Sequence, residues 1–276
     1  MPCIPRILRC CILAAGVIIS ARAVNAHGDG HAVIAAVTER LQAQPGNTVL
    51  LLERSALLAQ HGDFAPALLD LQEVRRLEPG NDRELVLRGS VLRRAGQLQE
   101  AREALEAFQQ KYPRNHQSGY ELAQVLAALG DTPAALPLLD GLIAAAEHPA
   151  PDAVALRLRQ TVNDGAEGPA RALTWLDGFL ERHPLPVFHE EALKLEIQLG
   201  RTAGALRRLD SMIAKAPRPE SLYLRKAALL ASAGDSAGAQ AAARSALEAL
   251  AKLPPHLASH PSCTAMKQQA MSILQP

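Results

Sequence analysis

The sequence predicts an all-α fold, an α-solenoid of about six helix-turn-helix repeats with an N-terminal half repeat and a C-terminal capping helix. Three observations carry that expectation. Apolar residues make up 48% of the chain but aromatic residues only 3%. Alanine and leucine dominate, and they lose little rotamer freedom in a helix, whereas strands draw on β-branched and aromatic side chains. Glycines then recur in step: Gly28, Gly62, Gly96 and Gly130 are each 34 residues apart, Gly200 follows after 70, and Gly234 after 34 more. Lastly, the segments before these glycines carry apolar residues at helical spacing.

Residues 1–26 read as a secretory signal peptide. Arg6 and Arg9 form a basic start, and residues 10–20 an apolar run too short to span a bilayer. Val24-Asn25-Ala26 has the side-chain sizes expected before a cleavage site, with Ala21-Arg22-Ala23 as a second option and an uncleaved anchor as the alternative. This predicts a periplasmic or secreted protein with no stable membrane span after cleavage. Loss of Arg6, Arg9 and Arg22 takes the basic count from 29 to 26 against 28 acids, a net charge of −2. A nucleic-acid binder needs a basic surface to displace counterions, so nucleic acid is not an expected partner. Cys3, Cys10 and Cys11 leave as well, and the remaining thiol, Cys263, has no partner for an internal disulfide. The fold must stand on packing, for which some 250 residues suffice.

Residues 27–47 read as a half repeat: His27-Gly28-Asp29 repeats as His61-Gly62-Asp63, a turn, and "HAVIAAVTERLQAQPGN" follows as a second helix without its first. Val33 and Val37 take that helix's core columns, Asp29 a cap or turn role, and Pro45 closes the unit.

The following units share several columns. Five residues after the glycines stand Ala67, Ala101, Ala135, Ala205 and Ala239; nine after them, Leu71, Leu105, Leu139, Leu209 and Ala243; seventeen after, Pro45, Pro79, Pro113 and Pro217. Each column has a physical task. Glycine eases the chain out of a helix through a left-handed turn. The alanine lets a second helix approach the first closely, and the leucine one turn later fills the core on the same face. Proline ends the unit because it cannot continue the helical hydrogen bonds. The preceding helices agree, with Leu51, Ser55 and Leu58, then Leu85, Gly89 and Leu92, on one face.

These columns resemble the tetratricopeptide repeat family, over spans 48–81, 82–115, 116–149 and 220–253. Spans 153–185 and 186–219 fit as divergent units; the fourth keeps Ala172, Leu176, Phe179 and Pro184. The resemblance implies a right-handed superhelix whose first helices line a concave groove. It places Leu52 and Ala56, then Arg83, Val86, Ser90 and Arg93, then Gln117, Tyr120 and Gln124, then Val154, Arg157 and Thr161, then Glu190 and Lys194 in that groove. Its mildly basic middle suits a peptide or protein partner. The Lys/Asn clamp of chaperone-binding members is missing, since Leu52, Ala56, Val86 and Ser90 occupy its places. Terminal units need caps, and residues 255–276 supply a helix with Ser262 as N-cap and Met266, Ala270 and Leu274 on one face.

No catalytic constellation stands out, so no enzyme and no cofactor is expected. His189-Glu190-Glu191-Ala192-Leu193 misses a zinc-protease helix because Leu193 stands where the second histidine belongs. Arg54, Arg88, Arg159 and Lys226 share one phase and read as packed stems with solvated heads. The alternative function is copper handling through a mature N-terminus at His27 with His31, both nitrogen donors suited to Cu(II).

Overall fold

The computed structural model describes residues 29–275. Among them are fifteen α-helices and no strand. The described residues divide into two compact bodies, 29–96 and 97–275. The first contains α1 (Asp29–Ala43), α2 (Thr48–His61), α3 (Phe64–Leu77) and α4 (Asp82–Arg94). The second begins with α5 (Leu98–Lys111), α6 (His116–Ala128), α7 (Thr132–Ala145), α8 (Pro151–Val162), α9 (Gly168–Arg182) and α10 (Pro186–Gln198). It continues through α11 (Thr202–Lys215), α12 (Glu220–Ser232), α13 (Ser236–Ala251), α14 (Pro255–Ala258) and α15 (Pro261–Leu274). The signal-peptide and cleavage expectations, and His27, lie outside the described residues.

The columns do what their chemistry requires. Ala67, Ala101, Ala135 and Ala205 are fully buried, as are Leu71, Leu105 and Leu139. Within their own bodies the preceding helices also bury small side chains, Ser55, Gly89, Ala123 and Ala227, and in the first pair this lets the helices meet at backbone-close range. Ser55 uses the approach directly, its hydroxyl donating to the Ala67 carbonyl at 3.0 Å. Each buried leucine removes enough apolar surface from water to contribute about 1.5–3 kcal/mol.

Helix starts add a further 34-residue column. Asn47, Asn81 and Asn115 cap α2, α4 and α6, the first two side-chain oxygens each accepting from two backbone N–H groups of the first turn and that of Asn115 from the Ser118 N–H. Such a cap satisfies donors that the helix itself leaves unpaired.

The ladder glycines Gly62, Gly96, Gly130, Gly200 and Gly234 all have positive φ, and so does Gly165, at +75°. Gly165 divides the 70-residue gap into two steps of 35. The fourth helix pair thus starts at Pro151, two residues before the position from which its phase is read in the sequence, and its turn to α9 is longer. Gly168 makes that turn possible: a Cβ there would stand 2.5 Å from the carbonyl oxygens of Thr161 and Val162.

Three further expectations are corrected locally. Val33 is 44% exposed while Val37 is buried, because α1 packs its Val37–Leu41 stripe on the first body's core and Val33 lies beyond it. The cap of α15 is His260 rather than Ser262: its ring nitrogen accepts from the Ser262 N–H. Leu52, placed in the groove by the repeat pattern, is buried in the first body's core. The apolar face of α15 is as expected, with buried Ala270 and neighbouring Met266 and Leu274 packed on the core of α12 and α13. Cys263 is buried, 3.9 Å from the Arg218 guanidinium.

Candidate functional site: a trough between α8 and α10

The first helices of the fourth and fifth pairs bury one face each. Helix α8 gives Ala153, Val154, Leu156 and Leu158 to the core, and α10 gives Phe188, Ala192, Leu193 and Leu195. That leaves Asp152, Ala155, Arg159 and Val162 as one stripe at helical spacing, and Val187, Glu191, Lys194 and Gln198 as another. The two stripes face each other across two adjoining cavities of about 370 Å³ and about 240 Å³, which share Leu158, Arg159 and Glu191. Leu158, Phe188 and Leu195 form an apolar floor, and Phe188 is held edge-on to Phe179 at 5.9 Å between centroids.

The walls are polarised. Toward the start of the helices lie Pro151, Ala155 and Val187, the last 57% exposed. Toward their ends lie Arg159, Asn163, Lys194 and Gln198. Lys194 pairs with Glu191 at 2.8 Å, whereas Arg159 is exposed and meets no carboxylate among the described residues. The trough therefore offers an apolar half and, on walls that also carry Asp152 and Glu191, an arginine head held in no ion pair, an arrangement suited to an extended segment that brings an apolar side chain and a carboxylate for Arg159.

Three α8 residues predicted for the groove are elsewhere, and Val154 is fully buried in the core. Arg157 and Thr161 are buried, at 9% and 4% exposure. Arg157 Nε donates to Asp140 at 2.9 Å and Nη1 to Thr161 Oγ1 at 2.9 Å, while its guanidinium lies 4.0 Å over the Trp175 ring. The cause is the phase of α8: counted back from Gly165, Arg157 takes the place that Arg54, Arg88 and Lys226 hold before their own glycines. Those three are in ion pairs too, with Asp70, Glu84 and Asp210. Arg159, assigned to that phase from the sequence, instead lines the trough. A glycine 35 residues from both Gly130 and Gly200 was the available signal.

Of the other predicted positions, Gln117 is exposed on α6, with Tyr120 and Gln124 half-buried. The Gln124 side-chain oxygen is buried without a hydrogen-bond partner. Arg83, Val86, Ser90 and Arg93 form one stripe on α4, in the first body. Glu190 is held by Arg225 at 2.6 Å.

A larger cavity, about 470 Å³, lies across α9, α10 and α11 around His189, Glu196 and Arg208. Its charges satisfy one another. Arg208 bridges Glu196 and Asp177, both at 2.7 Å. Burial works against the Arg208 charge, but these two carboxylates outweigh it and raise its pKa. Burial, then Arg208 and Lys215, hold the His189 ring below its ordinary value against a smaller pull from Asp177. This cluster straps three helices together.

Near the start of the described chain the rings of His31 and His61 lie 5.1 Å apart between centroids. No group of three His, Cys, Asp or Glu residues converges among the described residues, and none of their helices is long and apolar enough to cross a membrane.

No protein-family profile matches the sequence, and no curated protein does. Solved structures do. The C-terminal part of a TPR repeat-containing protein from Cytophaga hutchinsonii aligns over 91% of this chain and 96% of its own, with a TM-score of 0.64 and 14% identity. A tetratricopeptide repeat protein from Parabacteroides merdae covers 89% of this chain and 93% of its own, at TM-score 0.53 and 14% identity. YrrB, described as a TPR protein with an unusual peptide-binding site, covers 66% of this chain and 93% of its own, at TM-score 0.50 and 20% identity. The chain thus has the tetratricopeptide repeat fold.

Proposed function

We propose that the protein is a non-enzymatic interaction scaffold that holds an extended peptide segment of a partner protein in the α8–α10 trough. The observation that carries this reading is the exposed, unpaired Arg159 beside an apolar floor between two first helices. Elsewhere the enclosed charges are committed to ion pairs that join helices, as at Arg54, Arg157 and Arg208, which suits a scaffold better than acid–base chemistry. A peptide-binding site on the same fold, in YrrB, supports the choice of ligand class. The envelope is the compartment we infer, from the character of residues 1–26.

The test is affinity capture from an envelope extract with the parent chain and an Arg159→Glu/Lys194→Glu variant. Partners held in the trough are lost from the variant and kept by an Arg83→Glu/Arg93→Glu control. Retention of the same partners by the trough variant removes the assignment. Separate fractionation of cells tests the compartment.

A further inference from the structure

We propose that His31 and His61 form a two-imidazole site for a divalent transition-metal ion, with Cu²⁺ the preferred occupant. This goes beyond the scaffold reading and does not depend on it.

The geometry makes the case. A metal–nitrogen bond of about 2.0 Å, extended by about 1.1 Å to the ring centre, puts each imidazole centroid about 3.1 Å from a shared ion. Neighbouring ligands in the square-planar or tetragonal geometry that Cu²⁺ prefers then have centroids about 4.4 Å apart, and ligands at a tetrahedral angle about 5 Å. The two rings are separated by 5.1 Å and inclined by 32°, so as they stand they need a shift of under about 1 Å to hold Cu²⁺. Both side chains are exposed, so an ion has access and either ring can turn a nitrogen inward.

The pair is held together by a backbone device. His31 lies on α1 and His61 ends α2, and the His61 ring rests against the α1 backbone at Gly30. A Cβ at residue 30 would run into His61 Nε2 and Cε1. Glycine is therefore what allows His61 to lie close enough to reach His31.

The choice of metal follows from the donors. Neutral imidazole nitrogens suit copper, nickel and zinc, and at equal geometry copper binds most tightly of the three. No third His, Cys, Asp or Glu among the described residues joins the pair, so water fills the remaining positions. The site differs from one built on a mature amino terminus, which would use His27 and have no need of His61.

Calorimetric titration of Cu²⁺ into the chain processed to begin at His27, with electron paramagnetic resonance of the bound ion, tests the proposal. The parent should take up one ion with nitrogen couplings from two imidazoles. Loss of an outer-shell partner of a metal ligand typically costs about 10–100-fold in affinity; losing a ligand itself, in His31→Ala or His61→Ala, should cost roughly 100-fold. His27→Ala should leave affinity within about threefold of the parent, well below the loss expected from a ligand or its support. Gly30→Ala should weaken binding by about tenfold while leaving the helical spectrum and urea midpoint unchanged, because it displaces a ring and removes no ligand. Binding that survives His61→Ala but is lost in His27→Ala overturns the proposal in favour of the amino terminus. Absence of binding by the parent, or affinity untouched by both His31→Ala and His61→Ala, overturns it outright.

Discussion

Replacing Arg157 with alanine separates a structural arginine from a ligand-gripping one. The side chain is 10% exposed and makes two bonds of 2.9 Å, to Asp140 and Thr161, with its guanidinium 4.0 Å over Trp175. Hydrogen bonds to a charged group contribute about 1.5–3 kcal/mol, and a desolvated cation–π contact about 2 kcal/mol. Stranding a buried partner would add more, but the Asp140 side chain is 45% exposed, so its carboxylate returns to water and most of that penalty is avoided. The net expectation is a loss of about 2–4 kcal/mol, with Arg157→Lys losing about half as much because it keeps charge without the planar fork. Trp175 is the single tryptophan, so urea denaturation followed by its fluorescence reads this region directly. A local reading matters because repeat arrays can unfold in parts. An exposed groove arginine would change stability by no more than about 0.5 kcal/mol. A value that small for Arg157→Ala would refute the burial argument and return the residue to the groove.

Other outcomes follow from single features. Gly168→Ala should destabilise more than Gly165→Ala: the first meets two backbone oxygens at 2.5 Å, while the second has open space and only a positive φ to strain, about 1–2 kcal/mol; denaturation midpoints rank the pair. Asn81→Ala should lose about 1 kcal/mol, measured the same way, because Asn81 Oδ1 accepts from the Arg83 and Glu84 N–H groups at 3.0 and 3.1 Å. His189 titrates below 6.5 in the folded chain, so the unfolded chain binds a proton that the folded chain refuses. Its contribution to stability is therefore lost as pH falls from about 6.5 through the lower folded value, and is complete above about 6.5. Urea midpoints of the parent and His189→Gln should diverge in that direction, the parent losing more stability on acidification.

The repeat was legible because its columns answer to local requirements that recur every 34 residues. A left-handed exit needs Gly62, a close helix approach needs Ala67, and a filled core needs Leu71. The Asn47, Asn81 and Asn115 caps were equally present in the letters. So was Gly165, although its two steps are of 35 residues and not 34. That longer step moves the phase of α8 by two residues from the one a 34-residue step implies. On a helix two residues turn a side chain through about 200°, which is why Arg157 faces Asp140 and Trp175 while Arg159 faces the trough.

By itself the sequence determined the helical class, the pairing of helices and the small, apolar and turn residues that each pair requires, since these depend on neighbours close along the chain. Only the tertiary structure decided which polar side chains remain available. Arg208 is bridged by Asp177 and Glu196, 31 and 12 residues away, and His31 is brought to His61 across a helix and a turn. For Arg208 and His31 the partner is set by groups distant in sequence, outside the columns that the repeat prints.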